Sequence, residues 1–534
     1  MNAPFLQDAA DPSLGDDPHL RAVRSIRNGV ALVQRSGHLS IRPILVDAAG
    51  QLHEPLCADE GIVGVLPPLF PEWLGERSFA SDHGVRFAYV VGEMARGIAT
   101  PEMAVSAVRA GLAGFYGSAG LNIPTINEGL SRIRQQLGDG HPGWGANLIH
   151  SPQHSEAELQ AVETFLQHGV ARVSASAFMK IAPSIVIYAA RGLSRAADGS
   201  IARGTHVFAK VSRAEVARQF LSPPPEALLR ALTGEGRITP EQAELARRVP
   251  IAEDLTAEAD SGGHTDNRPL SVLVPQLAAL RDALCAEFCY PTRPRIGAAG
   301  GIGTPAAVAG AFALGAAYVL TGSINQSAVE SGLSADGRAM LAEAGPTDVA
   351  MAPAADMFEM GVKVQVLRRG TLFAQRGQKL FDLYRAHDRF EAIEAGERKA
   401  IETQILRRRF DEVWQETRDF FLRANPREAE RGERDLKHRM ALVFRWYLFM
   451  GAQWARDGLS ERRADYQIWC GPSMGAFNAW VKGSFLEAPQ DRGVAQIALN
   501  LLEGAACLTR AQHLRLAGVA LPPAAFQFVP RPLA

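Results

Sequence analysis

Short apolar runs alternate with longer segments of helical periodicity between residues 87 and 323. Short runs of this kind are typical of buried parallel strands, and the helical segments between them are typical of crossover helices. Three such helices are predicted at 101–110, 155–168 and 304–314. Eight strands in roughly 240 residues match a (β/α)8 barrel, whose usual length is about 250 residues. The predicted strands are 87–92, 113–117, 144–149, 171–174, 206–210, 255–259, 295–299 and 318–322.

The segments around the predicted barrel have a different character. Residues 221–252 are longer than an ordinary connection and contain SPPPE and TGEGRITPEQA, which predicts a helical insert between the fifth and sixth strands. Residues from about 377 to 459 carry Arg, Glu, Leu, Phe and Trp at helical spacing. We therefore predict an α/β fold with a small N-terminal cap (1–80), a (β/α)8 barrel (81–340) and a mainly helical C-terminal appendix (341–534).

Composition and charge exclude several classes of protein. The 534 residues include 56 Lys and Arg against 57 Asp and Glu, a formal charge of −1, and 47% hydrophobic residues. This balance argues against a disordered chain and against a nucleic-acid partner. Residues 305–320 carry no charge, but this segment is short for a membrane span and is interrupted by Gly310 and Gly315. These features favour a packed helix and strand over a membrane span.

The cysteines and the N-terminal residues indicate the cellular compartment in which the protein is expected. Five scattered cysteines suit a reducing environment, and the acidic start MNAPFLQDAADPSLGDD does not resemble a signal peptide, so a cytoplasmic protein is expected. Cys285 and Cys289 lie four residues apart without a second pair at zinc-ligand spacing, so no structural metal is expected.

The most distinctive motif is AAGGIGTP at 298–305, which follows a strand and opens a helix. Its glycines, Gly300, Gly301 and Gly303, let the backbone approach an anion, and free amides at the helix start favour phosphate. The motif also satisfies the loose dinucleotide pattern, but it follows the seventh strand rather than the first, and no acidic residue ends the next strand. A tight structural turn is the alternative.

A second loop strengthens the phosphate interpretation. The eighth strand ends at Thr321, Gly322 and Ser323. In barrels of this type, the loops after the seventh and eighth strands form the usual phosphate site. Together with the glycine-rich loop, these residues predict a phosphate-binding pair of loops.

A candidate catalytic residue lies in EADSGGHTDNRP at 258–269. Gly262 and Gly263 precede His264, which places an imidazole at the C-terminal end of the sixth strand, where barrel enzymes perform chemistry. His264 could exchange a proton near neutral pH or position a ligand. A purely structural histidine is the alternative.

Three further strand ends carry residues suited to a planar ligand. Gly92, Met94 and Ala95 follow the first strand and can lie against a flat ring. Asn147 on the third strand offers an amide that both donates and accepts, and Lys210 on the fifth offers a positive charge beside an anionic ring. Loop capping by Asn147 and a solvated Lys210 are the alternatives.

These motifs resemble the flavin-dependent nitronate monooxygenase and enoyl reductase superfamily. The sequence is similar in particular to the PfaD-type trans-acting enoyl reductases of polyketide and polyunsaturated fatty acid synthases. The resemblance runs through GEMARGIATPEMAVSAVRAGLAGFYGSAGL, WGANLI, HVFAKVSRAEVA, EADSGGHTDNRP and AAGGIGTPAAVAGAFALGAAYVLTGSINQ. It continues in DMFEMGVKVQVLRRGTLFAQRGQKLFDLY and DYQIWCGPSMGAFNAWVKGSF, which the generic nitronate enzymes lack.

The resemblance implies FMN at the C-terminal mouth of the barrel, with His264 facing the flavin. It implies that Met94 and Ala95 lie near the isoalloxazine and that Asn147 and Lys210 contact the edge of the ring. It also implies that Gly301, Gly322 and Ser323 bind the phosphate. The nitronate enzymes commonly continue Gly-Gly-His with Arg or Gly, whereas Thr265 follows here. This departure argues against nitroalkane oxidation.

The resemblance further implies that NADPH reduces FMN and that hydride then reaches the β-carbon of an enoyl thioester on an acyl carrier protein. His264, or a water it holds, supplies the proton. Two alternatives stay open: a nitronate monooxygenase acting on small nitroalkanes, and a non-catalytic scaffold in a synthase assembly.

Two features of the C-terminal region concern partners. Arg407, Arg408 and Arg409 are candidates for docking an acidic carrier protein, although a charge run is more often a solvated helix face. Aromatic residues of the same region belong either to its core or to a homodimer interface; they are Trp446, Tyr447, Phe449 and Trp454.

Overall fold

A computed structural model describes residues 17–35, 37–44, 61–151 and 155–533. Cys57, the acidic first residues and other parts of the predicted N-terminal cap lie outside these ranges.

Sixteen strands occur in the described residues, and eight of them close into a parallel barrel in the order β10-β11-β13-β14-β4-β5-β6-β7. Each predicted barrel strand coincides with one of these eight, so the predicted fold class is confirmed. The barrel strands are buried on both faces, which explains their continuous apolar runs. The strands are β1 (Gly29–Arg35), β2 (His38–Ile44), β3 (Ile62–Leu66), β4 (Tyr89–Val91), β5 (Ala113–Tyr116), β6 (Trp144–Ile149), β7 (Arg172–Ser176), β8 (Leu193–Arg195), β9 (Ile201–Arg203), β10 (His206–Val211), β11 (Asp254–Glu258), β12 (Gly263–His264), β13 (Arg295–Ala299), β14 (Val319–Thr321), β15 (Val349–Pro353) and β16 (Lys363–Leu367).

The α-helices of the described residues include the three predicted crossover helices and two helices, α8 and α9, in the predicted insert. They are α1 (Pro18–Arg24), α2 (Arg77–His83), α3 (Pro101–Arg109), α4 (Ile123–Leu137), α5 (Ser155–Gln167), α6 (Pro183–Arg191), α7 (Ala214–Phe220), α8 (Glu226–Gly234), α9 (Pro240–Ala246), α10 (Leu270–Phe288), α11 (Pro305–Ala313), α12 (Ala335–Ala342), α13 (Phe373–Ala386), α14 (Ala395–Ala400), α15 (Phe410–Ala424), α16 (Pro426–Arg434), α17 (Leu436–Asp457), α18 (Ser473–Val481) and α19 (Val494–Leu516).

The N-terminal end of the barrel is closed by α2. Phe79 on this helix stacks on Tyr318, with ring centroids 4.6 Å apart, and meets Phe208 edge-on. His83 at the end of α2 is fully buried against Asp254 of β11. The barrel therefore opens at its C-terminal end, where ligands bind in this fold.

The last helix, α19, completes the ring of helices around the barrel. It packs against α11, α3 and β4, which is the position of the eighth barrel helix. The same helix holds the N-terminal sheet of β1, β2 and β3: buried Arg510 donates hydrogen bonds to the carbonyl oxygens of Ile26, Asn28 and Pro67. The last helix of the predicted C-terminal appendix thus packs directly on the barrel.

Two strands within the C-terminal region were not predicted. β15 and β16 form an antiparallel hairpin, and β16 also pairs with the two-residue strand β12, which contains His264. The pairing joins a barrel loop to the C-terminal region. Within the described ranges, no helix is long and apolar enough to cross a membrane.

Candidate active site

A cavity of about 330 Å³ lies at the C-terminal ends of all eight barrel strands. Its size falls within the range of about 300–1,000 Å³ usual for small-molecule sites. Twelve of the fourteen residues singled out in the sequence line it. They are Gly92, Met94, Ala95, Asn147, Lys210, Gly262, Gly263, His264, Gly300, Thr321, Gly322 and Ser323.

The helices that follow β4 and β13 each begin with a threonine N-cap and a proline. Thr100 and Thr304 accept hydrogen bonds from the amides of Met103 and Ala307, and each is followed by a proline at the first helical position. The short loops after β4 and β13 are therefore fixed by local sequence.

The glycine-rich loop after β13 contributes fewer residues than predicted. Gly300 adopts φ +85°, and a Cβ there would lie 2.6 Å from the carbonyl carbon of Ala259, so only glycine fits. Gly301 faces open space, and Gly303 packs against the backbone of Ser473. Neither of the last two lines the cavity; this part of the loop contributes Gly300 and Ile302 instead.

The loop after β14 presents free backbone donors. The amides of Gly322 and Ser323 donate no hydrogen bond to the part of the chain that the structure describes. The Thr321 hydroxyl is bonded to Tyr89 at 2.6 Å and to the side-chain amide of Asn325, so it serves the loop's own structure. This loop retains the donors that an anion needs.

The charge of Lys210 is balanced by two carboxylates. Its Nζ lies 3.0 Å from Oε1 of Glu93 and 2.9 Å from Oε1 of Glu258. Burial works against the charge, but the two carboxylates outweigh it and raise the pKa of Lys210. Lys210 therefore keeps its positive charge at the barrel mouth, where Glu93 and Glu258 balance it.

Asn147 is oriented by its neighbours. Its amide nitrogen donates to the carbonyl oxygen of Ser174 at 3.2 Å and to Oγ of Ser176 at 3.0 Å. Both donors are thus engaged, and the side-chain oxygen is left for the cavity. The sequence predicted a residue that donates and accepts, whereas this geometry leaves an acceptor.

Several buried polar atoms around the cavity have no hydrogen-bond partner in the described residues. They include Oε2 of Glu93, Oγ of Ser261 and Oε1 of Gln326. An unsatisfied buried polar group costs about 1–3 kcal/mol. Such a concentration in one cavity indicates a ligand with hydrogen-bond donors.

His264 faces a carboxylate that sequence reasoning missed. Its Nε2 lies 3.3 Å from Oδ1 of Asp356, in the connection between β15 and β16. Burial alone would lower the pKa of His264, but Asp356, with a smaller contribution from Glu258, raises it. The imidazole is thus favoured in its charged form.

A further wall comes from residues 467–473, which we call the strap. Its backbone is bonded to β16, since the Leu367 amide donates to Ile468 and the Cys470 amide to Gln365. Gly471 donates to Oγ of Ser323 at 3.1 Å. Gln467, Trp469 and Ser473 line the cavity. The motif DYQIWCGPS pointed to this segment, but nothing local assigned it to the barrel mouth.

The predicted basic patch does not present unpaired charges. Arg408 is paired with Glu416, Arg409 lies 2.9 Å from Glu412, and Arg407 lies 3.8 Å from Asp465. Among the aromatic residues, Tyr447 and Trp454 are buried in the core, and Phe449 is exposed with Arg96 over its ring.

A solved structure shares this architecture. The enoyl reductase domain of MlnA, from the macrolactin biosynthesis cluster of Bacillus amyloliquefaciens, is 37% identical with a TM-score of 0.79, and the match covers 83% of this chain and 99% of that domain. This chain belongs to the PfaD-type enoyl reductase family. The family's members occur in polyketide and polyunsaturated fatty acid synthases.

Curated relatives of this chain are longer proteins. A polyunsaturated fatty acid synthase polypeptide of Thraustochytrium sp. is 44% identical over 474 residues, which are 87% of this chain and 32% of that protein. Polyketide biosynthesis protein PksE of Bacillus subtilis is 41% identical over 437 residues, 82% of this chain and 56% of PksE. The chain therefore spans about a third to just over half of these relatives.

Part of the C-terminal region matches a second family model. Residues 387–466 are similar to the inserted helical domain of [acyl-carrier-protein] S-malonyltransferase. They include α14 to α17 and end just before the strap.

Proposed function

We propose that this chain is an FMN-dependent enoyl reductase that acts in trans on polyketide or polyunsaturated fatty acid synthases. It takes hydride from NADPH and reduces the α,β-double bond of enoyl thioesters on an acyl carrier protein. The observation that carries the proposal is the cavity at the barrel mouth, which combines free anion-binding amides with a histidine held by a carboxylate, in a chain 37% identical to an enoyl reductase domain.

The residues around the cavity fit FMN. Gly322 and Ser323 would bind the phosphate through their free amides. Asn147 and Glu93 would accept hydrogen bonds from the ring system, since both have side-chain oxygens available. Met94 and Ala95 supply an apolar surface beside them. The buried Oε2 of Glu93, which has no hydrogen-bond partner in the described residues, would thereby gain one.

Bound FMN would supply hydride transfer, and the protein's part is to position and protonate. His264 would give a proton to the α-carbon of the substrate, because its pKa is raised and its ring lies in the cavity. The strap and the β15–β16 connection would exclude water on one side. Hydride and proton then add to the two ends of one double bond.

An anaerobic absorbance experiment tests the proposal. The protein is reconstituted with FMN, reduced with NADPH, and mixed with crotonyl-acyl carrier protein. We expect the visible flavin band to bleach with NADPH and to return with the enoyl thioester. The saturated butyryl-acyl carrier protein is the matched control and should leave the band bleached.

Two outcomes would contradict the proposal. One is a protein that does not bind FMN. The other is a reduced protein that crotonyl-acyl carrier protein fails to reoxidise while a nitroalkane drives oxygen uptake, which would favour the nitronate monooxygenase alternative.

A further inference from the structure

The carboxylate of Asp356 lies beside the candidate acid His264 at the wall of the cavity. The two side chains are held by one small sheet. His264 pairs with Val364 of β16, and Pro353 of β15 pairs with Lys363. Asp356 lies in the connection between these two strands, so the pairing of β12 with β16 brings His264 to the end of the sheet where this connection lies.

We propose that Asp356 is a positioning residue that accepts a hydrogen bond from Nε2 of His264, leaves Nδ1 as the nitrogen that transfers the proton, and keeps the imidazole cationic before each turnover. The proposal rests on the proposed function and extends it to this residue of the C-terminal region. The contact distance of 3.3 Å between Nε2 and Oδ1 carries it.

The two ring nitrogens of His264 differ in their surroundings. Nε2 is buried and lies 3.3 Å from Oδ1 of Asp356, slightly longer than an ordinary hydrogen bond, and it has no other partner among the described residues. Nδ1 contacts no hydrogen-bonding group of the described residues, so it is the nitrogen available to a substrate.

The charges around the pair come from four other elements. Glu258 at the end of β11 favours the charged imidazole, and Lys210 at the end of β10 opposes it. Lys210 is itself balanced by Glu93 and Glu258, so its opposition is weak.

Charged groups also surround the carboxylate of Asp356. Arg96, in the loop after β4, faces Asp356, and Arg456 of α17 faces Arg96. His264 and Arg96 both favour the ionised carboxylate and, despite its burial, the pKa of Asp356 is lowered. The two pKa values therefore shift in the directions that favour a protonated His264 beside an ionised Asp356.

The proposed reduction step balances in protons and electrons. Reduction of the double bond adds one hydride, whose two electrons come from NADPH, and one proton. The N–H bond at Nδ1 breaks and a C–H bond forms at the α-carbon. His264 is left neutral with its proton on Nε2 toward Asp356, and it regains a proton from solvent.

The test measures the titration of His264 directly, without turnover. Protein labelled with ¹³C at histidine Cε1 is titrated by NMR, and the His264 signal is assigned by its loss in His264→Gln. In Asp356→Asn we expect the pKa of His264 to fall by roughly one unit or more, as an opposite charge at this distance shifts a pKa by about 1–3 units. The pH profile of enoyl reduction should shift in the same direction.

Two variants serve as controls. Glu359→Gln removes a carboxylate 3.0 Å from His438, a buried histidine outside the cavity, and should leave the His264 titration unchanged. Asp356→Glu keeps the charge and should retain most of the wild-type pKa.

The results separate this proposal from the proposed function. An unchanged His264 titration in Asp356→Asn, or an Asp356→Glu variant that titrates like Asp356→Asn, would overturn the role of Asp356. A shifted titration in a protein that does not reduce enoyl thioesters would support the pairing and refute the proposed function.

Discussion

Arg172 donates a hydrogen bond from Nε to Nδ1 of His83 over 3.1 Å at the closed end of the barrel. The other ring nitrogen, Nε2, lies 2.9 Å from Oδ2 of Asp254. A nitrogen that accepts a hydrogen bond carries no proton, so His83 is neutral in the folded protein. Burial and the neighbouring Arg172 and Arg295 lower its pKa against the pull of Asp254.

His83 is expected to make the protein sensitive to mild acid. Because folding lowers the pKa of His83, the unfolded chain takes up a proton near pH 6.5 and the folded protein does so only at lower pH, so stability is lost as pH falls below 6.5. We expect the free energy of unfolding to decline below pH 6.5 by up to about 1.4 kcal/mol per pH unit. Urea unfolding at pH 7.5, 6.5 and 5.5 measures this decline.

The matched variants for that measurement are His83→Gln and His513→Gln. The first should flatten the decline, and the second, on the exposed face of α19, should retain it. An equal decline in wild type and His83→Gln would contradict the neutral assignment.

Loss of the candidate acid is expected to slow enoyl reduction while FMN stays bound. His264→Ala removes the ring but leaves the phosphate loop, so cofactor affinity should change little. We expect the barrier to rise by about 2 to 4 kcal/mol. Single-turnover reoxidation of the reduced protein by crotonyl-acyl carrier protein measures it, and wild-type rates at saturating substrate would remove His264 from the chemistry.

Two adjacent glycines allow a controlled test of the loop after β13. Gly300→Ala places a Cβ 2.6 Å from Ala259 at φ +85°, whereas Gly301→Ala at φ +70° meets open space. Both variants place an alanine in the left-handed backbone region, which costs about 1–2 kcal/mol, and only Gly300→Ala also introduces a steric clash. We expect Gly300→Ala to weaken FMN binding at least tenfold more than Gly301→Ala in a fluorescence titration. Equal affinities would mean that this loop does not shape the site.

Removal of the lysine at the barrel mouth is expected to destabilise the fold. Lys210→Met leaves Glu93, almost fully buried, and Glu258 without their common partner. Breaking a buried ion pair in this way costs about 3–5 kcal/mol. Denaturant unfolding at pH 7 measures the loss, and Lys210→Met combined with Glu258→Gln should recover part of it. A double variant no more stable than Lys210→Met would contradict charge repulsion as the cause.

The sequence predicted the barrel well because its signals are local. Parallel strands buried on both faces leave continuous apolar runs, and the threonine-proline pairs at Thr100 and Thr304 mark where helices begin. The loops at Gly300 and Gly322 were predicted for the same reason, since each follows a strand directly, and two adjacent glycines marked the loop that carries His264.

Residues that reach the site from afar could not be found in this way. Asp356 and Trp469 are distant in sequence from the strands they face, and their positions depend on the pairing of β16 with β12 and with the strap. A two-residue strand leaves no periodic signal. The sequence did not predict that two carboxylates balance the charge of Lys210, because Glu93, Lys210 and Glu258 come together only when the barrel closes.

The position of α19 as the eighth barrel helix has a consequence for biosynthesis. The ribosome completes β14 and its phosphate loop long before it makes the strap and α19. At about 5–20 residues per second, the roughly 190 residues from Ser323 to the end of α19 take on the order of 10–40 seconds to translate. During that interval the nascent barrel has an open seam between α11 and α3. A chain released early would carry the eight strands without the strap that lines the cavity, so we expect the proposed cofactor to bind only after the strap and α19 have been made.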